Sequence, residues 1–347
     1  MQRFTSLISS GAAMLVALVF ASTVPADPSA SYQVTKTVAL GTPDRWDYLT
    51  FDPSSDRLYV SHGDRVAVLD GHSGRILGQI EGFPGGTHGI AVVAASGRGY
   101  TDDGRAGTAT SFDLTTLKTG KAIKADEDAD GIAYDPASGH VFVVDGDPGK
   151  LTVIDPQTDS AIATIDAGGK LEFAVADGQG KLYVNGEARR EIVRVDTRTN
   201  TVDAHWPISN CVSPHGLAID PASRRLFSSC VNGLLVVVNT DSGATVATVP
   251  IGRGTDGAAF DPKRKLIFSA NGIDGTLSVI RETNPDTFVA LAPIKTAVTA
   301  RTLTIDPKTG RLYLAAAEVD AQAPAGPNGR PRVVPGSLKL IILDPVP

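Results

Sequence analysis

Short apolar runs separated by turn residues recur along the chain, and Asp130 to Ile165 shows the unit most clearly. It reads DGIAYDP, ASG, HVFVVDGDPG, KLTVIDP, QTD, SAIATI: three apolar runs and a weaker fourth, parted by Pro, Gly and Asp. Runs this short, bounded by turn residues, predict β-strands. No long segment carries a 3.6-residue period, and the 36 Gly and 22 Pro punctuate the chain at strand intervals.

Aligning the copies on the residue before each first strand gives Asp47, His88, Asp130, Glu172, His215, Asp256 and Arg301, at spacings of 41, 42, 42, 43, 41 and 45 residues. A period near ~42 residues with four strand-like runs per copy predicts a propeller of four-stranded blades. Five first strands end in Asp-Pro: Asp52-Pro53, Asp135-Pro136, Asp220-Pro221, Asp261-Pro262 and Asp306-Pro307. There Asp caps the turn with its side chain and Pro presets the next φ. Second strands such as RLYV (57–60), HVFV (140–143), KLYVN (181–185) and RLYL (311–314) follow, then third strands such as RVAVLD, KLTVID and TLSVI. The second copy is the most degenerate, with RGYTDDGRAG expected to replace a regular hairpin. The seventh runs out of chain after SLKLIILDP, and the surplus strand at Tyr32–Leu40 can complete it. The predicted fold is therefore all-β: a seven-bladed β-propeller over 27–347, closed by an N-terminal strand in the last blade.

The segments RLYVSHGDRVAVLD, HVFVVDGDPGKLTVID, KLYVNGEARREIVRVD and LIFSANGIDGTLSVI resemble the YVTN repeat of bacterial exported β-propellers, the YncE-like group. Asn185 and Asn271 match the motif's Asn, whereas His62, Asp145 and Cys230 stand in its place elsewhere. The resemblance covers about 45–345 and implies the propeller fold without naming a function.

Composition narrows the setting. Residues 1–26 read as a secretory signal: Arg3, an apolar core at Gly11–Phe20, and a small-residue cleavage site at Val24-Pro25-Ala26. The mature chain would begin near Asp27, in the periplasm or outside the cell, with no segment long enough to span a bilayer. Cleavage removes both methionines, which excludes a Met-rich copper site, and moves the net charge from −6 to −7 because Arg3 is lost. An acidic balance argues against a nucleic-acid partner. Two cysteines, Cys211 and Cys230, predict one disulfide in an exported chain, stapling the loop beside His215. The alternative is Cys230 as a thiolate ligand with His215.

The seven aligned residues should converge on one mouth of the channel. Four carboxylates, two imidazoles and Arg301 could hold a divalent metal ion, calcium or a transition metal, through Asp47, His88, Asp130, Glu172, His215 and Asp256. They could equally form a wet polar channel, or hold an anionic or sugar-like ligand through Arg301. Mirroring about the hairpins places a second set opposite the first: His62 facing Asp47, Asp145 facing Asp130, Asn185 facing Glu172, Cys230 facing His215 and Asn271 facing Asp256. Asp47, Asp130, Arg301, His62 and Asp145 are the candidate ligand-binding residues. Asp126 to Gly131 matches D-x-D-x-D-G, but its twelfth position is Ala137, so it fails as an EF-hand and stands only as an acidic mouth loop. Gly252 to Gly257 matches G-x-G-x-x-G without a following helix, and no Ser/His/Asp triad can be assigned. The long segment 319–336, with Arg330 and Arg332, is placed as an insertion over the mouth beside Arg301. His72, His140 and His205 fall on turns or outer strands.

These readings predict a monomeric exported propeller that binds a small molecule, metal or protein partner at its mouth and is non-enzymatic by default. One alternative is a metal-dependent hydrolase, lactonase or lyase with His88 or His215 moving the proton. Another is a scaffold for a periplasmic redox partner.

Overall fold

The architecture follows from a packing problem. Each blade's middle strands are apolar on both faces, so each sheet must be covered on both sides. In the computed structural model, which describes Met1 and residues 31–324, 326 and 331–346, neighbouring blades do the covering. The leader at 1–26 and Arg330 lie outside the described residues, apart from Met1. Seven antiparallel sheets follow one another around a ring, six of them with their strands in sequence order from the axis outward. The third blade runs Ala129–Asp135, His140–Asp145, Lys150–Asp155 and Ser160–Asp166. Its Phe142, Val144, Leu151 and Val153 pack against the fourth blade, whereas Val141, Val143 and Ile154 pack against the second. This alternation repeats around the ring and gives a separate apolar core at every junction between blades. Each fully buried Leu, Val or Phe in these cores contributes about 1.5–3 kcal/mol.

Closure takes the expected form. The last blade orders Leu303–Ile305, Leu312–Ala316, Lys339–Pro345 and then Tyr32–Ala39 outermost. The two termini pair antiparallel from Tyr32↔Pro345 to Ala39↔Lys339. The sixth blade carries one extra short strand, Ile294–Lys295, beside its third strand.

The Asp-Pro turns are built as predicted. Asp52, Asp135, Asp220, Asp261 and Asp306 each accept a hydrogen bond from the backbone N–H two residues on, at 2.8–3.2 Å. Four residues after each Asp the backbone turns left-handed, at Asp56, Gly139, Arg224, Lys265 and Gly310. Asp135 also accepts from Thr197 Oγ1 at 2.6 Å, tying its turn to the next blade.

The second blade departs from expectation. RGYTDDGRAG forms a regular strand, Arg98–Asp103, paired with Thr108–Asp113 across a single 3₁₀ turn. Gly99 is needed there because a Cβ would meet the Phe112 ring at 2.1 Å. The glycine that weakened the strand pattern makes room for a core aromatic.

If terminal pairing closes the ring, deleting residues 31–40 should expose the Lys339–Pro345 edge. We expect a lower melting temperature by calorimetry and self-association by light scattering, with the intact chain remaining monodisperse.

Candidate functional site

Four of the aligned residues reach the axis through a device the sequence pattern hid. In the third blade Ala129 pairs with Asp145 and Ile132 with Val143, so Asp130 and Gly131 together oppose Val144. Equivalent register shifts fall at Glu172, His215 and Asp256. A β-bulge re-aims its extra residue, here towards the axis. It also shifts the hairpin mirror by one: Asp145 faces Ala129, Cys230 faces Pro214 and Asn271 faces Thr255. Three members of the expected second set are therefore displaced, while Asn185 lies opposite the bulged pair of Glu172 and Phe173 as expected. His62 is 2% exposed and its Nε2 lies 3.1 Å from Gly41 O in the loop from the closing strand. Asp145 is fully buried, accepts from Asp126 N and Thr152 Oγ1, and is pushed up to about 6 by burial. Asn185 donates to His215 O at 2.7 Å, and Asn271 to Ser278 Oγ at 2.9 Å. These four side chains hold strands and loops in place.

The position after each aligned residue sets the floor. It is Gly89, Gly131, Gly216 and Gly257 in four blades, Tyr48 and Phe173 in two, and Thr302 in the last. A Cβ on Gly216 would meet Ala258 N at 2.5 Å, so glycine lets the inner strands approach. Tyr48 and Phe173 come from the first and fourth blades, on opposite sides of the ring, and touch edge-to-face at 4.9 Å. They close the axis, leaving a cavity of about 30 Å³ beneath them, room for one water. The expected open channel is instead stopped at the axis by this aromatic pair.

Three clusters line this face. In the first, Asp102 is fully buried and accepts from His88 N at 2.8 Å, Gly89 N at 2.7 Å and His88 Nδ1 at 2.6 Å. Burial alone would lower the His88 imidazole, but the bond and charge of Asp102, with Asp130 and Asp47, raise it to about 9. Burial pushes the Asp102 carboxyl up to about 6 against the pull of His88. Arg45 Nη2 lies 3.0 Å from His88 Nε2, a bond that only a neutral ring accepts. We take imidazolium as the resting state at neutral pH, because Asp102 is held against Nδ1 while Arg45 is exposed and able to turn away. Burial and Asp47 together push the Asp130 carboxyl well above the carboxylate range, and its buried Oδ1 has no hydrogen-bond partner among the described residues.

In the second cluster His215 Nδ1 lies 2.8 Å from Asp256 Oδ1, and Arg301 Nε donates to Asp256 Oδ2 at 2.6 Å. Arg301 also donates to Trp46 O at 2.7 Å and stands over the Trp46 ring at 4.9 Å. Burial would raise Asp256, but His215 and Arg301 hold it down at about 2. In the third cluster Glu172, Glu187 and His215 present ligand atoms within 4.8 Å of one another. Lys170 Nζ stands 3.0 Å from Glu187 and 3.9 Å from Glu172. Burial, then Asp130, Asp256 and Glu187, push Glu172 up to about 10.

Above the second cluster opens a cup of about 770 Å³. Arg45, Trp46, Ser213, His215, Asp256 and Arg301 meet it from below, and Val231, Ile273, Val298, Pro331 and Val333 from the sides. Asp47, His88, Asp130 and Glu172 do not line it. The 319–336 insertion supplies one side: Val319 bridges Val333, and Asp44 accepts from Gly336 N and Leu338 N. The loop carrying Ser213 is anchored by the Cys211–Cys230 disulfide, Cα–Cα 5.3 Å. Cys230 is thus no thiolate ligand. In the acidic loop Asp126 pairs with Lys150 at 2.7 Å and Asp128 accepts from Asp147 N.

Arg45, Trp46, Asp102, Glu187 and Ser213 escaped the sequence reading. One signal was present: Asp102 stands four residues after Arg98, as Asn185 stands four after Lys181, so both hold the same strand position. Asn271 sits one position further along its strand, opposite Thr276 as Gly186 is opposite Glu191, so the two motif asparagines are not equivalent.

No protein-family profile matches the chain, and no curated protein matches it. Solved structures do. Kuenenia stuttgartiensis Hydrazine Synthase is 15% identical, with 79% of this chain and 94% of that chain covered at a TM-score of 0.68. The RRP9 WD40 repeats are 12% identical over 90% of this chain and 100% of that one, TM-score 0.76. A chain of the Mitotic Checkpoint Complex is 15% identical over 94% and 98%, TM-score 0.72. At these identities the likeness is one of fold, and it agrees with seven blades.

The raised His88 has a pH signature. Its contribution to stability is complete below the ordinary value of 6.5 and is lost as pH rises through about 9. The melting temperature should fall across that window, and His88→Asn should remove that step relative to wild type in paired thermal melts.

Proposed function

We propose that this chain is an exported propeller of the YVTN-repeat kind that binds a partner molecule in the cup, with binding rather than catalysis as its basal task. The cup itself carries the reading. Its volume of about 770 Å³ falls in the range of ligand pockets. Its walls are apolar, and Val231, Ile273 and Val298 stand 41%, 60% and 47% exposed around it. Its base is polar and rigid, because Arg301, Asp256 and His215 restrain one another. Arg45 is the exposed donor at the base. The matching occupant is a small organic molecule or peptide end with an apolar body and an anionic or acceptor group. Export is supported by the disulfide and by the repeat resemblance; no helix among the described residues is long and apolar enough to cross a membrane.

Anilinonaphthalene sulfonate has this combination of apolar body and anionic group and can serve as the probe. Its fluorescence should rise on the native protein. Ile273→Glu, at an exposed position, should weaken its binding by about tenfold or more, roughly 1.4 kcal/mol, with the melting temperature unchanged. Equal binding by wild type, Ile273→Glu and Arg45→Ala would remove the cup as the site.

A further inference from the structure

We propose that Glu172, Glu187 and His215 form a binding site for a divalent transition metal ion. The proposal rests on this cluster and stands whether or not the cup binds an organic molecule.

The imidazole is arranged as a ligand. His215 Nδ1 is engaged by Asp256 Oδ1 at 2.8 Å, and Asp256 is itself fixed by Arg301 at 2.6 Å. A carboxylate behind a histidine fixes the tautomer and directs the other nitrogen's lone pair outward, as in metal-ligating histidines. That nitrogen, Nε2, lies 3.8 Å from Glu187 Oε1 and 3.2 Å from Ser213 Oγ. Ser213 has one hydroxyl proton and directs it to Glu187 Oε1, so it offers none to Nε2.

The carboxylates supply the independent observation. Glu172 is 8% exposed and accepts no hydrogen bond among the described residues; Lys170 Nζ and His215 Nδ1 both stand 3.9 Å away. A buried carboxylate without donors requires a cation or a proton. The nearby cation is Lys170, 3.0 Å from Glu187. Its side chain is 43% exposed and also lies 3.9 Å from the exposed Asp147, so it has a place to turn when an ion takes the position between the glutamates.

The donor set selects among ions. One imidazole nitrogen with two carboxylates suits Zn²⁺ or Mn²⁺, whereas Ca²⁺ takes six to eight oxygens. Metal bonds of about 2.0–2.1 Å put adjacent donors roughly 3.3 Å apart. The His215–Glu187 separation of 3.8 Å is wider by an amount that side-chain torsions can close. Ser213 and His215 also line the cup, so an ion here would lie beside any occupant.

Isothermal titration of the chelator-treated, disulfide-intact protein with Zn²⁺, Mn²⁺ and Ca²⁺ tests the site. We expect one Zn²⁺ or Mn²⁺ per chain, an affinity about tenfold or more lower in Glu187→Gln, and a higher affinity in Lys170→Met, which lacks the competing ammonium. Ile273→Glu should leave metal affinity unchanged, which separates this result from the fate of the cup. Three outcomes would overturn the proposal. One is no Zn²⁺ or Mn²⁺ binding. Another is wild-type affinity in both Glu187→Gln and His215→Ala. The third is His215-dependent labelling of Ser213 by a fluorophosphonate, which would give Nε2 to a serine nucleophile. Should Glu187→Gln fail to fold by circular dichroism, Lys170→Met decides, and an unchanged or weaker affinity there rejects the site.

Discussion

The pairing of the chain's two ends is the constraint on which the rest depends. A blade of three strands would leave Lys339–Pro345 as an open edge, and an open edge templates further pairing. Tyr32–Ala39 covers it, and Tyr32 then packs against Phe268 of the sixth blade. The junction cores act in series around the ring. Each inner strand is held by its two neighbours, so closure at one junction restrains the axis at all seven.

That restraint explains how so much charge is tolerated near the axis. Two imidazoles are held against carboxylates, His88 with Asp102 and His215 with Asp256. Arg301 reaches across the closure to Trp46 in the loop that leads into the first blade. The charge is distributed unevenly. Asp256 is engaged by His215 and Arg301 and is held down, whereas Asp130 and Glu172, with burial and like charges around them, are pushed up. The face therefore has a satisfied side, beneath the cup, and an under-compensated acidic side. The metal proposal concerns the seam between them, where His215 belongs to both.

The cup depends on features outside the repeat. Arg45 and Trp46 come from the loop joining the closing strand to the first blade, and Pro331 and Val333 from the insertion. Asp44 binds that insertion through two backbone N–H groups, so the N-terminal loop and the last blade build one side together. The cup lies where the ring is sealed.

The sequence alone determined the number of blades, the closing strand, the Asp-Pro turns, the disulfide and the seven positions that approach the axis. All of these are local or periodic: alternation, turn chemistry and spacing repeat often enough to be read without coordinates. It misjudged the second blade because Gly99 looked like a break, when the reason for glycine is a Phe112 ring from the neighbouring strand. It misplaced the partners of Asp145, Cys230 and Asn271 by one residue because a bulge leaves no spacing signature when it occurs at the same point in several copies. Only the tertiary structure decided that Tyr48 and Phe173 close the axis, that Asp102 faces His88, and that Glu187 and Ser213 join His215. Tyr48 meets Phe173, and Glu187 meets His215, across blades brought together by ring closure, while Asp102 reaches His88 across the hairpin of one blade; no periodicity along the chain encodes which side chains will come within contact distance.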